Sequence, residues 1–148
     1  MDLKKVFEEI DFVNRYKKIY QEHHDFDSRL DGHNKEICNR VMDSFGYTYR
    51  YVSNGSFYQI KDRVGNQLFQ LHLVLKHGIV EILLYIYSDG KLIEPNGRLD
   101  FLPQKMGIPF ERDKYNLFKY HDEQELKVIL GDFFGLYEDL KSACLKQV

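Results

Sequence analysis

A chain of 148 residues, 43% apolar and 30% charged, is long enough to bury a core, so we expect one globular domain spanning residues 1–148. Its net charge of −2 is far from the strongly basic charge expected of a dedicated nucleic-acid-binding protein. The chain starts without a signal-peptide pattern, carries no apolar run of membrane-spanning length, and holds only two cysteines, so we expect a cytoplasmic protein with reduced thiols.

Apolar residues near the N-terminus recur at helical spacing. The stripe that begins at Leu3 predicts one amphipathic helix over residues 3–22, capped by Asp2. A polar connector follows over residues 23–32. A second helix is expected over residues 34–45, because Gly46 can end it in a left-handed conformation.

The pattern then changes to an alternation of period two, which is typical of strands. Strands are predicted over residues 47–52, 57–62, 68–76 and 79–88, with a short fifth strand from residue 91. Turn signals such as Asn54-Gly55 separate them and predict hairpins. The fourth strand is apolar on both faces apart from Glu81, which predicts a central position in the sheet.

The C-terminal part combines an irregular segment with a long helix. The three prolines interrupt regular structure over residues 94–121, where we expect a loop with one helical turn and an edge strand. Asp122 and Glu125 predict the start of the last helix by a capping box. The complete pattern predicts an α+β fold: an antiparallel β-meander of four to five strands packed against N-terminal and C-terminal helices.

Metal and cofactor chemistry find little support in the sequence. The densest polar cluster is His23-His24-Asp25 with Asp27, and its spacing matches no common metal motif. We therefore expect no metal or cofactor. Whether this loop binds a metal is a question that the sequence leaves open. Glycine-rich phosphate loops and a Gly-x-Ser-x-Gly elbow are absent from the sequence. We therefore expect a protein that is not an enzyme.

Two polar residues on predicted strands support an alternative interpretation. His72 lies opposite a Leu/Phe face, and Glu81 interrupts an otherwise apolar strand. If both face a pocket between the sheet and the helices, the chain is a small ligand-binding domain or an enzyme, with His72 as a candidate general base.

A row of tyrosines suggests a surface for a protein partner. Tyr47, Tyr49 and Tyr51 point to one face of the first strand, and tyrosine is enriched at protein interfaces. A homodimer that pairs through this face is a further possibility. RNA binding would require aromatic residues among many basic ones, so the low net charge makes nucleic acid an unexpected partner.

In build, length, acidity and aromatic content the whole chain resembles the small bacterial immunity proteins, which neutralise toxins delivered between cells. The resemblance implies a toxin inhibitor that acts by direct protein–protein interaction and catalyses nothing. Asp132, Tyr137, Glu138 and Asp139 on the last helix form the kind of acidic and aromatic surface that such proteins use. The sheet face and the loop over residues 94–121 provide a second possible surface.

Overall fold

Helices at both ends of the chain flank a run of strands in the computed structural model, which describes residues 1–147. The helices are α1 (Leu3–Glu9), α2 (Phe12–Glu22), α3 (Lys35–Asp43), α4 (Leu102–Lys105) and α5 (Glu123–Leu145). The strands are β1 (Tyr49–Val52), β2 (Phe57–Val64), β3 (Gln67–Val74), β4 (Ile79–Ser88), β5 (Lys91–Leu92), β6 (Gly97–Arg98) and β7 (Phe118–Lys119). The α+β prediction is confirmed. Of the helices described, none has the length and apolar character needed to cross a membrane.

The sheet is an antiparallel meander in the order β1-β2-β3-β4-β5. β4 pairs with β3 along one edge and successively with β5, β6 and β7 along the other. The prediction that the fourth strand is central is therefore confirmed. The short strand β6 was not expected, and the edge strand predicted within residues 94–121 is confined to Phe118–Lys119.

The two faces of the sheet have different surroundings. Alternate residues such as Ile60, Leu71 and Leu84 are at most 2% exposed and belong to one core that includes the buried residues of the helices. The residues between them, among them Gln59 and His72, are only partly buried and stand outside that core. All the large helices therefore cover the same face.

The predicted helix over residues 3–22 is interrupted. Asp11 adopts a left-handed conformation (φ 55°) between α1 and α2. Its carboxylate accepts a hydrogen bond from the side-chain amide of Asn14 at 2.9 Å. The break brings the rings of Phe7 and Phe12 together at 4.2 Å, both buried. Because the apolar stripe continues on both sides of the break, the spacing of the residues could not predict it.

Backbone hydrogen bonds attach the polar connector to β7 on the side of the helices. The Lys119 amide donates to the His23 carbonyl at 2.9 Å, and the Leu30 amide donates to the Tyr120 carbonyl at 2.9 Å. Gly78 (φ +69°) packs against the backbone of Leu30. A Cβ atom at this position would lie only 2.7 Å from the Leu30 nitrogen, so the contact requires glycine. The hydrogen bond from Lys119 holds the backbone of His23 at the end of α2.

Both cysteines are buried and free. Burial raises the pKa of the Cys38 thiol, and it raises that of Cys144 to about 12. Deprotonation is required for thiol reactivity, so these groups serve as small apolar core residues.

Candidate functional site

The acidic residues on the outer side of α5 interact with neighbouring cations of the same chain. Glu138 accepts hydrogen bonds from the Tyr47 hydroxyl and, at 2.9 Å, from the Lys141 ammonium group. Asp139 accepts from the Arg15 guanidinium at 2.8 Å. Two of the three acids predicted to attract a partner thus have their charge compensated within the molecule.

Tyr137 is not a surface residue, which corrects the expectation that it belongs to the same binding surface. It is 2% exposed, and its hydroxyl donates to Asp62 Oδ2 at 2.6 Å. Lys141 Nζ lies 3.2 Å from the same oxygen. Burial, followed by the nearby Asp62 carboxylate, raises the pKa of Tyr137 strongly. The residue therefore connects α5 to β2 and is inaccessible to a partner.

The tyrosine row lies on the helix-covered side of the sheet, which corrects the expectation of a free aromatic surface there. Tyr47, Tyr49 and Tyr51 are half-buried and pack against the core at its margin. The ring of Tyr47 lies 4.5 Å from that of Phe134, and the Tyr49 hydroxyl donates to Asp43. These side chains close the edge of the core, so a homodimer through this row is not supported.

His72 and Glu81 do not line a pocket between the sheet and the helices. Leu71 and Leu73 occupy the positions that face the helices, so the alternation turns His72 to the opposite side. Glu81 faces the same side and lies 3.6 Å from the Arg98 guanidinium. The prediction of a pocket between the sheet and the helices is therefore wrong, although His72 and Glu81 do lie on the same face of the sheet.

That face forms the most extended candidate site, and we name it the open face. Among the described elements, no helix covers it. Its apolar and aromatic members come from five neighbouring strands, β1 to β5, and the registers between these strands place them next to one another. They are Val52, Phe57, Leu68, Val74, Leu83, Tyr85, Tyr87 and Leu92.

His72 lies at the centre of the open face. Its ring stacks on Phe57 with 4.3 Å between ring centroids and contacts Tyr85 at 5.1 Å. The amide nitrogens of Gln70 and Gln59 lie 2.8 and 3.2 Å from His72 Nε2. Burial and, secondly, the Lys61 charge lower the pKa of His72. The imidazole is therefore neutral near pH 7 and accepts hydrogen bonds from the amides.

Positive charge borders this aromatic centre on the side of β1 and β2. The alternation of the strands places Arg50, Lys61 and Arg63 on the open face. Arg98 and Glu81 also lie there, but Arg98 is paired with Asp100 at 2.9 Å and with Glu81 at 3.6 Å. A surface depression of about 440 Å³ borders Arg50 and Lys61 at the edge formed by β1 and β2. The open face is thus apolar at its centre and basic along its β1–β2 edge, whereas the chain as a whole is slightly acidic.

The polar loop after α2 does not gather its members into one site. Asp25 accepts hydrogen bonds from the backbone amides of Asp27 and Ser28, and His24 Nδ1 lies 3.1 Å from the Tyr20 carbonyl. His23 is instead almost completely buried, and the exposed Glu22 and Asp132 each offer a ligand atom within 4.8 Å of a ligand atom of its ring. Asp132 lies far along the chain, so no local spacing could have predicted this cluster.

Comparison of the chain with protein-family models, with curated proteins and with solved structures finds no match. The candidate sites therefore depend on the geometry described above.

Proposed function

We propose that this protein is a non-catalytic binding module of the cytoplasm that binds another protein through the open face. In keeping with the immunity proteins that it resembles, we propose that the partner is a toxin, which the bound chain blocks. The observation that carries the proposal is the uncovered sheet face with its apolar centre. A contiguous apolar surface with a charged rim is typical of a protein–protein contact.

The charge of the open face specifies the partner further. Arg50, Lys61 and Arg63 favour a partner with an acidic surface, because complementary charge steers association and disfavours wrong partners. The resemblance implied the reverse arrangement, with an acidic helix that binds a basic toxin. Since Glu138 and Asp139 are paired with Lys141 and Arg15, the acidic helix is the weaker candidate.

A ligand-binding or catalytic role for His72 and Glu81 has less support. Both side chains lie on the surface of a sheet, and each already contacts its own neighbours, Gln70 and Arg98. A general base needs a reacting group held within hydrogen-bonding distance, and a flat surface provides no enclosure for one.

A toxicity-rescue experiment tests the proposal. Each neighbouring open reading frame is expressed alone in a bacterial host to identify one that stops growth, and the wild-type chain is then co-expressed. We expect rescue by the wild type and loss of rescue by the double variant Arg50→Glu with Lys61→Glu. The matched control is Lys4→Glu with Lys5→Glu, which makes the same charge change at exposed positions of α1 and should still rescue.

Two results would contradict the proposal. Rescue by the Arg50/Lys61 variant would place the contact outside the open face. The proposal would also fail if no neighbouring open reading frame stopped growth and the purified chain retained RNA in a salt-sensitive way. The partner would then be nucleic acid and not a protein.

A further inference from the structure

We propose that Glu22, His23 and Asp132 form a binding site for a divalent transition-metal ion between the end of α2 and the middle of α5. One ligand atom from each residue lies within 4.8 Å of the others. An imidazole nitrogen with two carboxylate oxygens suits Zn²⁺ and neighbouring first-row ions, whereas Ca²⁺ and Mg²⁺ prefer oxygen ligands alone. This site lies on the helical side of the molecule and is independent of the open face.

The second observation is a buried nitrogen without a partner. His23 is 9% exposed, and its Nδ1 lies 2.7 Å from Glu125 Oε2. Its Nε2 is buried and has no hydrogen-bond partner among residues 1–147. Buried polar atoms almost always have a partner, so an unpartnered imidazole nitrogen beside two carboxylates is a candidate metal ligand. A metal ion held with Glu22 and Asp132 would supply it.

Glu125 fixes His23 in the form that binds metal. Its other oxygen, Oε1, accepts a hydrogen bond from the His121 amide at 2.8 Å. The Glu125 carboxylate oxygen at 2.7 Å accepts the proton of His23 Nδ1, which leaves the lone pair on Nε2. Metal-binding histidines very commonly donate their other nitrogen to a carboxylate in this way.

An ion can reach the site. Glu22 and Asp132 are exposed and line a cleft of about 360 Å³ together with Arg15 and Lys18. Arg15 is engaged by Asp139, so Lys18 is the cation that would compete with a bound metal. Three protein ligands leave the remaining coordination positions to water, the arrangement found where a site stays open to solvent.

The experiment uses the full chain, treated with a chelator and then freed of it, and titrated calorimetrically with Zn²⁺. We expect one equivalent to bind and the melting temperature to rise with Zn²⁺ concentration, because the ion binds only the folded chain. Asp132→Asn and Glu22→Gln each remove one ligand at an exposed position and should weaken binding by at least about tenfold. Glu125→Gln, which changes a positioning residue, should weaken it by about 10- to 100-fold.

Matched controls separate this site from the loop that follows α2. His24→Gln and Asp27→Asn should bind Zn²⁺ as the wild type does, and Ca²⁺ should not raise the melting temperature. The proposal is overturned if Zn²⁺ does not bind, if Asp132→Asn and Glu22→Gln both bind it normally, or if the loop variants lose binding. Both ligand variants change exposed side chains, so circular dichroism should confirm that each still folds.

Discussion

At the scale of single residues, the chain uses tyrosine hydroxyls to join distant elements. Tyr137 of α5 donates to Asp62 of β2, and Tyr120 donates to the Leu75 carbonyl beyond the end of β3. Each hydroxyl lies in the core, where an unpaired polar group would be costly. Such residues look like surface groups in a sequence but act as connections within the fold.

We expect Tyr137→Phe to lower the free energy of unfolding by about 1–2 kcal/mol, because it removes a hydrogen bond to a charged group without opening a cavity. Urea unfolding followed by circular dichroism measures the change. Tyr87→Phe is the matched control on the open face and should stay within about 0.5 kcal/mol of the wild type. Equal effects of both changes would contradict the role given to the Tyr137 hydroxyl.

At the scale of elements, α5 shows how a local sequence signal becomes a tertiary contact. The Asp122 side chain accepts a hydrogen bond from the Glu125 amide at 2.8 Å, as the predicted cap requires. Glu125, however, does not complete the reciprocal bond to Asp122 and instead reaches the His121 amide and the His23 ring. The start of α5 is therefore tied to the end of α2.

Asp122→Ala should destabilise the protein by about 1 kcal/mol, because the backbone amide of Glu125 loses its acceptor. Asp122→Asn keeps a side-chain oxygen at the same place and should recover most of the loss. Thermal unfolding of the two variants and the wild type checks the order. If the asparagine variant is as unstable as the alanine variant, the carboxylate charge matters more than the cap.

The helices and long strands could be predicted because their periodicity is local. Leu71 and Leu73 alternate with His72, and this pattern alone indicated which residues share a face. The row of Tyr47 and the row of His72 each combine aromatic rings with polar groups. The pattern therefore could not indicate which of the two faces the helices cover. The cluster of Glu22, His23 and Asp132 depends on how α2 packs against α5, which no spacing along the chain encodes.

At the scale of the whole molecule, four tyrosines are almost completely buried and hold their protons tightly. Burial is the main cause that raises the pKa of Tyr16, Tyr58, Tyr120 and Tyr137. In the unfolded chain the same hydroxyls should ionise near pH 10. The folded state therefore binds more protons than the unfolded state once the pH exceeds that value.

We expect stability to be insensitive to these groups below about pH 10 and to fall above it. Each such tyrosine contributes a slope of up to about 1.4 kcal/mol per pH unit until its folded-state pKa is reached. Urea unfolding at pH 8, 10 and 11 measures the decline, and phenolate absorbance should show these tyrosines ionising together with unfolding. Ionisation of all eleven tyrosines near pH 10 with the fold intact would contradict this expectation.

The one-sided arrangement of helices also bears on how the sequence can evolve. Along β2, β3 and β4, residues that hold the core alternate with residues that meet solvent. Selection for a new partner can replace every second side chain while the others keep the fold. A lineage under pressure from a changing partner could therefore diverge rapidly at alternate positions and retain the same backbone.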